Sequence, residues 1–166
     1  SDVLLMHSIK PVTRLTNPDS LLDFQRTIFM NQAIKIVKLC ETMTCDNVII
    51  MDRAWYGEYV YGQNYRHEDP DDIVEMINEI DDYLYSFNIK RATFLTRAQP
   101  EFVLNHDDKK SFFSDYDKKQ KLQAITDEIQ LFHECFNKTL LSNSRLKETF
   151  KVLDVEHEMK FIKPNI

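Results

Sequence analysis

Apolar positions change their period several times along the chain, and each change marks an element. Val3-Leu4-Leu5-Met6 reads as a short buried strand, closed by Ser8-Ile9-Lys10-Pro11, where proline ends regular pairing and holds Lys10 extended. Asn17-Pro18 supplies an N-cap and first-turn pair, and Leu21, Leu22, Phe29, Ala33, Ile36, Val37 and Leu39 keep helical spacing to about Thr42. The continuous apolar run Asn47-Val48-Ile49-Ile50-Met51 predicts a strand buried on both faces, ending at Asp52-Arg53. Asp69-Pro70 opens a helix in which Ile73, Ile77, Ile80, Leu84 and Phe87 share one face and acidic residues fill the other. Arg91 to Thr96 predicts a third strand, and Pro100-Glu101 starts a short helix. From Asn105 to Lys121 the period dissolves into charges, as in a mobile loop or a frayed helix start. Leu122, Ile125, Ile129, Phe132, Phe136 and Leu140 then trace a long amphipathic helix, and Phe150 to Val155 a last strand.

Strands alternating with helices predict an α/β fold: one mainly parallel sheet with helices on both faces, joined by right-handed crossovers. Ligands of such sheets bind outside the carboxyl ends of strands, which draws attention to Asp52 and Arg53. A chain of 166 residues, 43% hydrophobic and 29% charged, suits a single domain over residues 1–166.

Charge and composition narrow the function. A net charge of -6 argues against a bulk nucleic-acid surface, while leaving room for a local basic patch that holds a small phosphate-bearing molecule. The two glycines, Gly57 and Gly62, are too few and badly placed for a glycine-rich phosphate loop. Cys40, Cys45 and Cys135 lack metal or disulfide-framework spacing, and the five histidines lack ligand spacing, so these residues read as core or surface positions. With no membrane-length apolar run and no secretory pattern, the expected setting is a reducing cytoplasm, or a host's cytoplasm for a viral chain.

The richest chemistry lies in Asp52-Arg53-Ala54-Trp55-Tyr56-Gly57-Glu58-Tyr59-Val60-Tyr61-Gly62-Gln63-Asn64-Tyr65-Arg66. An acid and a base at a strand end, followed by aromatics, suit a planar phosphorylated ligand, because the guanidinium fork matches phosphate geometry. The same residue types also fit a strand-end ion pair beside a small aromatic cluster.

This segment resembles the acceptor-side motif of the thymidylate kinase and deoxynucleoside kinase group, particularly its phage-type members: an apolar strand, Asp-Arg, an aromatic turn, Glu-x-x-Tyr-Gly and a nearby Tyr-Arg. Phe94-Leu95-Thr96-Arg97-Ala98-Gln99-Pro100-Glu101 looks like the strand and turn before the lid of those kinases, and His7-Ser8-Ile9-Lys10-Pro11 like their segment near the acceptor. The resemblance implies Asp52 near the acceptor oxygen and, indirectly, Mg²⁺, with Arg53 on substrate phosphate. It implies Lys10, Trp55, Tyr56, Glu58, Tyr61 and Arg66 as acceptor-pocket residues, Tyr61 on base or sugar. Arg97, Lys109 and Lys110 become lid candidates, for which a solvated charged loop is the plainer account. Gly57 stands where cellular thymidylate kinases often carry a small hydroxyl residue.

Members of that group begin with a strand, a glycine-rich phosphate loop and a helix that together bind ATP phosphates and Mg²⁺. Nothing before Val3 supplies that unit, and the expectation is that roughly 25 to 40 upstream residues, the span of a βα unit, precede this sequence. The expected function is ATP-dependent phosphorylation of a deoxynucleoside monophosphate, thymidylate favoured, or of a deoxynucleoside. The alternatives are a catalytically inactive homologue that binds nucleotide or protein, and a nucleoside-modifying enzyme of other chemistry. Expected partners are small nucleosides or nucleotides, without bulk nucleic acid or membrane. Many members of the group are dimers, although no apolar stripe here demands a homodimer.

Overall fold

In a computed structural model the structure describes residues 3–7, 18–42, 48–87, 89, 92–105, 115–143 and 150–154. The chain divides into two compact units, Ser1–Lys90 and Arg91–Ile166.

The first unit contains β1 (Val3–His7), α1 (Pro18–Thr42), β2 (Val48–Asp52), a 3₁₀ turn (Ala54–Tyr56), α2 (Gly57–Arg66) and α3 (Pro70–Ser86). Its helices form where the sequence places their stops and starts. Asp69 caps α3 by accepting from the Asp71 backbone N–H, and Pro70 sits at the first helical position, where its missing donor costs nothing. Along α3, Ile73, Met76, Ile77, Ile80 and Leu84 are buried, each contributing about 1.5–3 kcal/mol over an exposed position. Phe87, expected on that face, lies at the C-cap and is exposed. α1 packs against α3 with Leu21, Leu22, Phe29, Ala33, Ile36 and Val37 buried, and at its C-terminus the Thr42 hydroxyl donates to the Lys38 and Leu39 carbonyls.

The second unit contains β3 (Thr93–Arg97), α4 (Pro100–Asn105), α5 (Lys118–Lys138) and β4 (Phe150–Asp154). A reciprocal capping box opens α5: Gln120 N–H donates to Asp117 Oδ1 and Asp117 N–H to Gln120 Oε1. Its far end buries Cys135 and Phe136, and the Thr139 hydroxyl donates to the Cys135 carbonyl. α4 packs on α5.

Apart from the 3₁₀ turn and α2, which the periodicity did not announce, the element order matches the sequence expectation, but the expected architecture does not form. The described residues are mostly helical, and the strands among them occur as two parallel pairs, β1 with β2 and β3 with β4, not as one mainly parallel sheet with helices on both faces. The physical reason lies in what is buried. Among the residues whose burial is described, every buried apolar side chain comes from a helix, the 3₁₀ turn or the turn after α5. β2, expected to be covered on both faces, instead leaves Val48 52% and Ile50 48% exposed. Among the described residues, α1 packs on α3 and α4 on α5, and the expectation of one mainly parallel sheet with helices on both faces is corrected to two strand pairs in a mostly helical structure.

Candidate functional site

β2 ends at Asp52, in register with His7 of β1, and both Asp52 and Arg53 are exposed. The chain then turns sharply. Arg53 has φ 60 and ψ -34, and Ala54 has φ 46, so two consecutive residues with side chains occupy a left-handed region that costs of order 1–3 kcal/mol each. Local bonding restrains the turn, since the Gly57 N–H donates to the Arg53 carbonyl at 3.3 Å. Trp55 and Tyr56 are buried immediately after it.

That turn brings Arg53 back over the first helical turns of α2. Its guanidinium carbon lies 5.3 Å from the centroid of the Tyr61 ring, and Tyr61 in turn stacks on Tyr65, one helical turn on, at 6.1 Å between centroids and 17° between planes. Arg53, which directly follows Asp52 in the chain, forms with the two rings an aromatic shelf. A guanidinium donates in parallel to two phosphate oxygens, and a tyrosine ring offers a flat apolar face to a sugar or base. The shelf is thus chemically suited to a phosphorylated planar molecule.

The remaining acceptor-pocket candidates have different positions. Glu58 and Arg66 meet inside the unit: Arg66 Nη2 pairs with Glu58, while Nε donates to Glu68 Oε1 at 2.9 Å and Nη2 reaches Glu68 Oε2 at 3.5 Å. All three side chains are buried, so Glu58 and Arg66 act on each other across two turns of α2. Trp55 and Tyr56 spend their polar atoms inward, on Asp81 of α3. Arg97 closes β3 opposite Asp154 in register. Lys10, Lys109 and Lys110 lie outside the described residues, as does most of the charged segment between α4 and α5.

The structure adds residues that pattern reading missed. Asp81 sits on the buried face of α3 amid isoleucines, and the spacing did signal it: it follows Ile80 directly and lies four residues after Ile77, on the helix's apolar side. Glu68 was hidden because it lies beyond the helix end. On α1, Gln25 Nε2 and Gln32 Oε1 are buried without a hydrogen-bond partner among the described residues, a donor and an acceptor two turns apart on one face.

Asp52 is a single carboxylate, and among the described residues no group of three or more His, Cys, Asp or Glu side chains comes together to hold a metal ion. Both glycines of the chain lie in α2, so neither belongs to a phosphate loop. No helix among the described residues is long and apolar enough to cross a membrane. Comparisons with protein-family models, with curated proteins and with solved structures find no match.

Proposed function

We propose that this chain binds a deoxynucleoside monophosphate, thymidylate favoured, through the Arg53–Tyr61 shelf, and that it is the acceptor side of an ATP-dependent phosphotransfer. The observation that carries the reading is the placement of Arg53: an exposed guanidinium, held by a strained turn directly after a strand-end carboxylate, over an aromatic ring. Strain of this kind persists where the surroundings over-determine it and clusters at ligand sites. The motif resemblance through Asp52 to Arg66 supports the same reading and favours thymidylate among the bases.

In this reading Arg53 neutralises and orients the acceptor phosphate, Tyr61 and Tyr65 face the nucleoside, and Asp52 orients the attacking phosphate oxygen. Phosphoryl transfer relies mainly on such positioning and charge neutralisation. A second reading is a homologue that binds nucleotide or protein without transferring phosphate.

The test is calorimetric titration of the full chain with dTMP and thymidine, followed by assay of phosphate transfer from ATP with Mg²⁺. The expected result is tighter binding of dTMP than of thymidine. Transfer identifies the kinase; binding without transfer, by a chain that includes any upstream phosphate-loop unit, identifies the inactive homologue. Absence of dTMP binding overturns both.

A further inference from the structure

The two buried rings that follow Arg53 share one acceptor. Trp55 Nε1 donates to Asp81 Oδ1 at 3.1 Å, and the Tyr56 hydroxyl donates to the same carboxylate, 2.9 Å from Oδ1 and 2.8 Å from Oδ2. Asp81 is 1% exposed and comes from α3, a different element from the turn it holds. A carboxylate suits this place because it accepts only; an asparagine would offer one oxygen and set its own N–H donors against the incoming ones.

Position in the chain gives that contact its meaning. Trp55 and Tyr56 belong to the 3₁₀ turn that begins at Ala54, and Arg53 is the residue that caps it. Arg53 and Ala54 both hold positive φ, which residues with side chains leave when released. The hydrogen bond from Gly57 N–H to the Arg53 carbonyl restrains the turn from its own segment, and the two bonds to Asp81 restrain it from α3. Relaxation at Arg53 would re-aim its Cα–Cβ bond and carry the guanidinium off Tyr61.

We infer that Asp81 is a positioning residue for Arg53: by holding Trp55 and Tyr56 it fixes the turn that aims the guanidinium, and so sets affinity for the acceptor's phosphate group. The inference rests on the proposed reading of Arg53 as the phosphate-binding side chain. It assigns to a helix-buried carboxylate a discrimination between phosphorylated and unphosphorylated nucleoside.

The experiment is a double-mutant cycle on the full chain, with dTMP and thymidine binding measured by calorimetry for the unaltered protein, Asp81→Asn, Arg53→Ala and the combination. Asp81→Asn is expected to weaken dTMP about tenfold while leaving thymidine within about twofold, and to cost dTMP nothing further once Arg53 is alanine. Equal weakening of both ligands, or a loss that persists without Arg53, marks a merely structural role and overturns the inference. Tyr56→Phe removes one donor while keeping the carboxylate; it is expected to show the same split at about threefold and decides the matter if Asp81→Asn does not fold. If Arg53→Ala weakens dTMP while Asp81→Asn and Tyr56→Phe do not, the positioning role alone fails. If Arg53→Ala leaves dTMP binding unchanged, the phosphate-binding reading fails and the positioning role falls with it.

Discussion

The guanidinium carbon of Arg53 stands 5.3 Å from the centre of the Tyr61 ring, so the strongest candidate for phosphate recognition is held against the strongest candidate for stacking. Arg53→Ala is expected to weaken dTMP binding by about 1.5–3 kcal/mol, the worth of a hydrogen bond to a charged group. Where phosphate transfer is measurable, the expected loss is on the order of 3 kcal/mol in transition-state stabilisation. Arg53→Lys keeps the charge but not the planar fork, and should recover only part of the affinity. Calorimetry and initial rates check both.

The two glycines predict opposite outcomes. A methyl group at Gly62 would collide with Glu68 Oε2 and crowd Ile73 Cδ1 at 3.1 Å, displacing a buried carboxylate that pairs with Arg66. Gly62→Ala is therefore expected to destabilise by about 1–3 kcal/mol despite alanine's better helix propensity. At Gly57 the same methyl meets Arg53 Cβ at 3.5 Å and the Tyr61 ring at 3.6 Å, both ordinary contacts, so Gly57→Ala should be neutral or stabilise by up to about 1 kcal/mol. Urea unfolding of the two variants gives the comparison directly.

Removing the guanidinium of Arg66 leaves Glu58 and Glu68 facing each other in a buried site. Arg66→Met should cost about 3–5 kcal/mol of stability, the range for breaking a buried pair from one side. If Arg66 instead served ligand binding alone, stability would hold and affinity would fall, which thermal melting with and without dTMP separates.

Gln25 illustrates the reverse case. Its buried Nε2 has no partner among the described residues, so Gln25→Leu removes an unsatisfied donor at similar volume and is expected to raise stability by about 1 kcal/mol. The change in urea midpoint is the measurement.

Much of this was legible in the sequence at the level of elements. Asp69-Pro70 announced α3, Asn17-Pro18 announced α1, and the apolar run before Asp52 announced β2, because caps and periodicity are local properties of the chain. Assembly was not legible. A continuous apolar run looks alike whether a helix covers it or not, and Val48 and Ile50 of β2 are exposed on one face. α2 was missed as a helix because two glycines and four tyrosines in and around it carry weak helical preference; its shape comes from a buried charge pair between residues eight apart and from close approach at Gly62. At the site, residue types pointed to Arg53 and Tyr61, but the carboxylate that anchors their turn lies 25 residues beyond Tyr56 and is visible only in three dimensions.

Trp55 is the chain's single tryptophan, and it lies two residues from Arg53 with its indole N–H on Asp81. The protein therefore carries an intrinsic optical reporter at the point where the turn is held. Its emission will follow the indole's surroundings alone, free of signal from any second tryptophan, so ligand-induced movement of that turn is observable by fluorescence without adding a dye.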